Sequence, residues 1–359
     1  EFRSLQKLDN DSISKQKGNE NIIKLKQIIF IKKTGTLNLV FEFMETDLLE
    51  LMKSKEPKKL SENEIRDIMH QTLLGLSFMH KYGFFHRDMK PENLLLVGQK
   101  VKIADFGLAR EIRSVPPYTE YVSTRYYRAP ECILQSTNYN SPIDIWAVGC
   151  IMAEMYLHPQ PLFFGANEKE VLFRICSVLG TPTYDTWAEG IQQANVIGIK
   201  FPTNEGMDLS KVIPNASSEA IDLIKQMLQW DPNRRATANN LLNHPFFTKH
   251  EISNHIFVSK NNNNDSNFDD SCFKKYSNKI QKNNNTKINN NDNNSTSKIL
   301  SDNDIDKLIN QIKKEKIEED ENDFDIGNMV GDSINMLDSN SLLVNSNNNS
   351  DNKTNKDCS

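Results

Sequence analysis

The chain has 359 residues, with 43 basic against 48 acidic side chains and a net charge of −5 at pH 7. The charge is +1 before residue 251 and −6 from there on, and all 13 prolines and all 3 tryptophans lie in the first part. A near-neutral folded part with an acidic polar tail excludes the basic footprint of a nucleic-acid binder, and Asp144 and Glu154 inside the most apolar run, 143–157, exclude a membrane span there.

In chain order, 28–31 and 37–43 predict two strands joined around Gly35. Residues 61–80 predict a helix, with Ile65, Ile68, Met69, Thr72, Leu73, Leu76 and Met79 on one core-facing stripe. Ser61 followed by Glu64 reads as its capping box. Short strands at 94–97 and 101–103 flank a turn at Gly98, and 143–157, 168–179 and 218–229 predict further helices. Five cysteines (Cys132, Cys150, Cys176, Cys272, Cys358) form no Cys-x-x-Cys pair, as expected of reduced thiols in an intracellular protein. From residue 251 asparagine dominates, and so few aromatic and branched residues cannot offset chain entropy, so the tail is expected to be disordered. Within it, Ile305, Leu308, Ile309 and Ile312 at helical spacing predict a transient helix rather than a docking or autoinhibitory one, because the stripe is short.

The chemistry is concentrated in His86-Arg87-Asp88-Met89-Lys90-Pro91-Glu92-Asn93 and, after the second short strand, Asp105-Phe106-Gly107. Phosphoryl transfer asks a protein for positioning and charge neutralisation more than for covalent chemistry. An aspartate for the acceptor hydroxyl, a lysine for the phosphate, and an Asn/Asp pair for Mg²⁺ supply both. Asp-Phe-Gly alone is a weak signal; His-Arg-Asp with asparagine five residues after the aspartate is a strong one. The bland alternative, a core histidine beside a surface Arg–Asp pair, leaves the ordered Ala129-Pro130-Glu131 downstream unexplained.

On these motifs the chain resembles a eukaryotic protein kinase from residue 1 to about 250, and Lys90 resembles the serine/threonine type. The stretch 118–131, with Thr119-Glu120-Tyr121 and Thr124-Arg125, is similar to the CDK/MAP-kinase branch. Arg113-Ser114-Val115-Pro116-Pro117-Tyr118 is similar to the male-germ-cell-associated, intestinal-cell and flagellar-length kinase group. The resemblance implies an α+β kinase-like fold: remainder of the N-lobe and hinge at 1–44, a mainly helical C-lobe at 45–250, and the tail at 251–359.

It also implies roles. Asp88, Lys90 and Asn93 would be catalytic; Asn93 and Asp105 would bind Mg²⁺; Phe41, Glu42, Met44, Leu95 and Asp105 would hold ATP. Gly107, lacking Cβ, would permit the turn that aims Asp105. Thr119 and Tyr121 are expected phosphosites, whose added charge would order the segment against Arg87 and Arg110. Thr124 and Arg125 would shape the substrate site, with Arg125 favouring proline after the target residue. Glu131 and Arg235 would form a buried structural ion pair, and Asp144 would hold the catalytic-loop backbone. Expected partners are protein substrates and an upstream activating kinase, with no nucleic acid or membrane, and the protein is expected to be a monomer. The expected location is cytoplasmic, with nucleus or cilium/flagellum as alternatives.

The departure from the family is at the start. No Gly-rich loop or strand lysine precedes the hinge, Glu1 falls on the glutamate that pairs with that lysine, and 9–20 read as a polar insertion. The sequence is therefore expected to be a fragment beginning inside that helix, with very weak ATP-Mg²⁺ binding of its own; calorimetry showing tight binding refutes this. A noncatalytic kinase-like binding protein is the other reading, but such proteins commonly lose the catalytic aspartate or Mg²⁺ ligands, and this chain retains them.

Overall fold

The computed structural model describes residues 20–31, 36–112 and 125–249, and the backbone of 298–299. These fall into two compact units, one of 20–28, 37–112 and 125–249, the other of 29–31, 36 and 298–299.

The first unit mixes strands and helices, as expected. Strand β1 is Leu25–Ile31 and β2 is Thr36–Phe41. The second strand ends two residues earlier than its pattern predicts, because Phe43 turns out to solvent and is 70% exposed. Strand β3, Thr46–Asp47, leads into helix α1, Leu48–Ser54, where Asp47 accepts a hydrogen bond from the Glu50 N–H as N-cap. Helix α2, Glu62–Lys81, starts at the expected capping box: the Glu64 N–H donates to Ser61 and the Ser61 N–H donates to the Glu64 carboxylate. Ile65, Ile68, Met69, Leu73, Leu76 and Met79 on its apolar stripe are fully buried, each contributing about 1.5–3 kcal/mol of transfer free energy.

Strand β4, Phe84–Phe85, precedes the catalytic loop; β5, Leu94–Val97, and β6, Lys100–Ile103, follow it. Strand β5 lies between β3 and β6, antiparallel to both, with Leu95 opposite Asp47 on one side and Lys102 on the other. Ile22 and Ile23 are buried and tied to β6: Ile23 N–H donates to Ile103 O and Ile103 N–H to Asn21 O, both at 2.9 Å. Strand β7, Arg110–Glu111, pairs antiparallel with β4.

Helix α3 is Pro130–Ile133, and α4, Pro142–Leu157, is buried from Ile143 through Tyr156. A helix apolar on every side belongs in a protein core, and no helix among the described residues is long and apolar enough to cross a membrane. Helices α5, Glu168–Leu179, α6, Tyr184–Val196, and α7, Ser218–Met227, complete the larger helical elements. Cys132, Cys150 and Cys176 are free and buried, and burial raises all three thiols, Cys176 to about 12, which leaves them unreactive.

Gly75 explains how α2 comes so close to β6. A Cβ there would meet Ile103 Cδ1 at 2.8 Å and Asn21 O at 2.9 Å. Gly75→Ala should therefore lower unfolding free energy by about 1–3 kcal/mol through overpacking, although alanine is the better helix former. Urea denaturation of the two forms checks this; an unchanged or raised midpoint contradicts it.

In the second unit Ile29 and Phe30 pair antiparallel with Ile299 and Lys298. No sequence pattern announced this two-residue strand at Lys298–Ile299. The expected helix at 304–319, the rest of the tail and residues 1–19 lie outside the described residues.

Candidate active site

Asp144, in the first turn of α4, is 1% exposed and makes its hydrogen bonds to the catalytic loop and the end of α2. Its Oδ2 accepts from the His86 N–H at 2.8 Å and lies 2.9 Å from His80 Nε2, while Oδ1 accepts from the Arg87 N–H at 2.9 Å. Arg87 has φ of 73°, a left-handed conformation that costs a non-glycine residue about 1–3 kcal/mol. The buried carboxylate offsets that cost by holding both adjacent N–H groups. The Arg87 side chain is aligned by Tyr139, whose hydroxyl lies 2.6 Å from Nη2.

The His86 ring is fully buried, with Nε2 2.9 Å from Ala104 O and Nδ1 3.2 Å from Asp88 N. A carbonyl only accepts and an amide N–H only donates, so the proton sits on Nε2 and the ring is neutral. His86 thereby fixes both the start of the loop and the residue before Asp105. Its ring also meets Phe106 edge-on at 5.3 Å between centroids.

This frame brings the predicted catalytic residues together. Lys90 Nζ lies 2.8 Å from Asp88 Oδ2. Asn93 Nδ2 donates to Asp88 O at 2.7 Å and to Asp88 Oδ2 at 3.2 Å. Burial pulls the Lys90 ammonium down, but the hydrogen bond and charge of Asp88 outweigh it, so Lys90 titrates above its ordinary range and is cationic at neutral pH. Asp105 stands exposed at φ 63°, accepting from the Gly107 N–H at 3.3 Å. Asn93 N–H donates to Lys90 O and Ala104 N–H to Asn93 O, tying Asn93 to the strand that delivers Asp105.

Next to these residues a cavity of about 660 Å³ is lined by Ile23, Phe41, Met44, Leu95, Ala104 and Asp105 among others. Three of the expected hinge and floor residues, Phe41, Met44 and Leu95, therefore converge on one space. Glu42 also reaches it, but its N–H donates to Lys24 O at 3.0 Å and its carboxylate meets Lys102 Nζ at 2.7 Å. That ion pair was missed in the sequence. A usable signal existed, since a lysine inside the apolar run Val101-Lys102-Ile103-Ala104 is buried only with a carboxylate partner.

Among the residues expected to be structural, Glu131 and Arg235 meet in the core. Arg235 binds Glu131 through two parallel contacts, Nη1–Oε1 at 2.6 Å and Nη2–Oε2 at 2.7 Å, and stacks over Trp146. Arg125 donates to Ala166 O at 2.6 Å, beside Tyr126, which stacks on Phe164. Arg128 pairs with Glu168. Glu1, Thr119, Tyr121 and Thr124 lie outside the described residues.

Tyr127 and Glu154 form a buried pair the sequence did not reveal, with the hydroxyl 2.7 Å from Oε2. Burial raises the Glu154 carboxyl from 4.5 to about 7, the Tyr127 hydroxyl opposing and the Glu92 charge assisting. The unfolded carboxyl loses its proton near 4.5 and the folded one near 7, so between these values the native state holds more protons and stability falls as pH rises. The full loss is roughly 3 kcal/mol, and Glu154→Gln should flatten it. Urea unfolding at several values between about pH 5 and 8 reads this slope; equal slopes in both proteins contradict the assignment.

Residues 8–247 match the protein kinase domain family. The chain is 54% identical over 248 residues to the serine/threonine-protein kinase ICK of Mus musculus, covering 69% of this chain and 37% of that protein. It is 51% identical over 261 residues to the serine/threonine-protein kinase MAK of Homo sapiens, covering 71% and 40%. It is 48% identical over 247 residues to the cyclin-dependent kinase F-3 of Oryza sativa subsp. japonica, covering 69% and 54%. The chain thus spans well under two thirds of the length of these relatives. With the domain match covering most of the chain and relatives of this similarity, the chain belongs to the protein kinase domain family, in the branch that includes the ICK, MAK and cyclin-dependent kinases.

Proposed function

We propose that the protein transfers the terminal phosphoryl group of ATP to serine and threonine hydroxyls of other proteins. The observation that carries this reading is Lys90 and Asn93 each within 3.2 Å of Asp88, beside Asp105 and the cavity lined by Phe41 and Leu95.

The residues present fit the nucleotide and its metal. Asn93 uses its amide nitrogen on Asp88, which leaves its oxygen as a donor, and the exposed Asp105 carboxylate adds others. Two oxygen-bearing side chains suit Mg²⁺, which shares its shell with phosphates and water. Among the described residues no acceptor takes the Met44 N–H, and the apolar walls at Ile23, Phe41, Leu95 and Ala104 suit a flat purine. ATP with Mg²⁺ supplies the activated phosphoryl group. Asp88 accepts the hydrogen bond of the attacking hydroxyl and takes its proton late in transfer. Lys90, cationic and held by Asp88, neutralises charge that develops on the phosphoryl oxygens.

The finer reading assigns 1–44 to the N-lobe and hinge, 45–250 to the C-lobe and 251–359 to the tail. It takes Thr124 and Arg125 as the surface that favours proline after the target residue, and Thr119 and Tyr121 as phosphosites written by an upstream kinase. A monomer acting on protein substrates in the cytoplasm, with cilium or nucleus as alternatives, completes it. The hydrogen bond that ties Arg125 to Ala166 O supports the reading that Arg125 favours proline after the target residue.

The test is transfer of radiolabelled phosphate from ATP to a serine/threonine peptide library by the protein. Labelled serine or threonine, enriched for proline at the following residue, supports the proposal. Tight partner binding with no transfer at any peptide supports the noncatalytic alternative instead.

A further inference from the structure

A second cavity, of about 670 Å³, opens between the segment after α1 and the C-terminal end of α4. Met52, Leu60, Met155 and Leu157 give it an apolar wall, and none of them takes part in the catalytic cluster. His158 lines it while only 8% exposed. The ring Nε2 lies 3.1 Å from Glu56 Oε1, while Nδ1 has no hydrogen-bond partner and is closed off from the surface. An apolar wall around a space of this size is a mark of a binding pocket. Burial holds the imidazole below the ordinary histidine range, opposed by Glu56.

The charge around the opening selects the occupant. Two lysines, Lys58 and Lys59, face one glutamate, Glu56. Lys59 donates to Tyr156 O at 2.8 Å, and the nearby Lys53 and Lys55 are neutralised by Glu50 and Glu64. Lys58 remains exposed without an ion-pair partner among the described residues. The volume falls within the roughly 300–1,000 Å³ that buries a small ligand or a few peptide residues.

We propose that this cavity docks an acidic peptide segment of a protein partner, a bulky apolar side chain filling the space beside His158 and a neighbouring carboxylate facing Lys58. Selectivity comes from the lysines, which reject a basic peptide with the same apolar anchor. The proposal stands on this pocket alone and survives failure of the catalytic reading.

Fluorescence polarisation with a short labelled peptide carrying phenylalanine between aspartates tests it on the whole protein. Saturable binding with Kd of roughly 10–100 µM is expected, weakened at least about tenfold when alanine replaces the phenylalanine or lysines replace the aspartates. Lys58→Glu, on an exposed side chain, should weaken binding about five- to tenfold without moving the thermal midpoint or catalysis on short peptides. Equal binding of acidic and basic peptides, or full affinity in Lys58→Glu, overturns the proposal. Binding that emerges only after deletion of 318–326, the chain's own acidic run around Phe324, overturns a partner as occupant.

Discussion

Replacing Asp88 with asparagine should lower kcat on a serine/threonine peptide by about 10²–10⁴-fold, the range for loss of a positioned general base. The change should leave the fold intact. Asparagine is isosteric, and its oxygen can still accept from Lys90 and Asn93, which now lie 2.8 and 3.2 Å from Asp88 Oδ2. The loss should fall on kcat, with KM for ATP nearly unchanged, because Asp88 does not line the cavity assigned to the purine. Lys90 should feel the substitution through its own titration. Its raised value rests on the Asp88 charge outweighing burial, so without that charge it should move downward. Steady-state kinetics at saturating peptide measures the first effect. A kcat within about threefold of the parent removes Asp88 from the proton-transfer role.

Arg235→Met should destabilise the protein by about 3–5 kcal/mol, the cost of leaving the other half of a buried pair uncompensated. Glu131 is 5% exposed, and its two oxygens meet Arg235 at 2.6 and 2.7 Å. Arg235 also donates to Gln229 O, Pro142 O and Trp230 O, so three carbonyls lose a charged donor at once. A double substitution, Glu131→Leu with Arg235→Met, should recover part of the loss, since no unpaired charge then remains buried. Urea denaturation of both singles and the double closes the cycle. A single variant losing under about 1 kcal/mol contradicts a buried, coupled pair.

How much could be read in advance follows from how local each signal is. The catalytic cluster was legible because Asp88, Lys90 and Asn93 lie within one turn of chain and their spacing fixes their contacts. Helix α2 was legible from its stripe and its capping box. Helix α6 was not, because only Trp187, Gly190 and Ala194 of its residues are buried and no apolar stripe marks it. Helix α1 is a single short element whose start depends on the Asp47 cap. Lys102–Glu42 and Tyr127–Glu154 join residues far apart in sequence, which period and propensity cannot pair. The cavity beside His158 is likewise made by two segments about a hundred residues apart, each unremarkable alone.

The Asp144 carboxylate has a dynamic consequence. Because it grips the amides of His86 and Arg87 from within the first turn of α4, those two protons can exchange with water only when the core helix itself opens. The backbone before Asp88 should therefore exchange at the global unfolding rate, slower than the Gly107 amide, which reaches only the exposed Asp105 side chain at 3.3 Å. The backbone leading into Asp88 is as permanent as the core, while the exposed Asp105 side chain can move on its own.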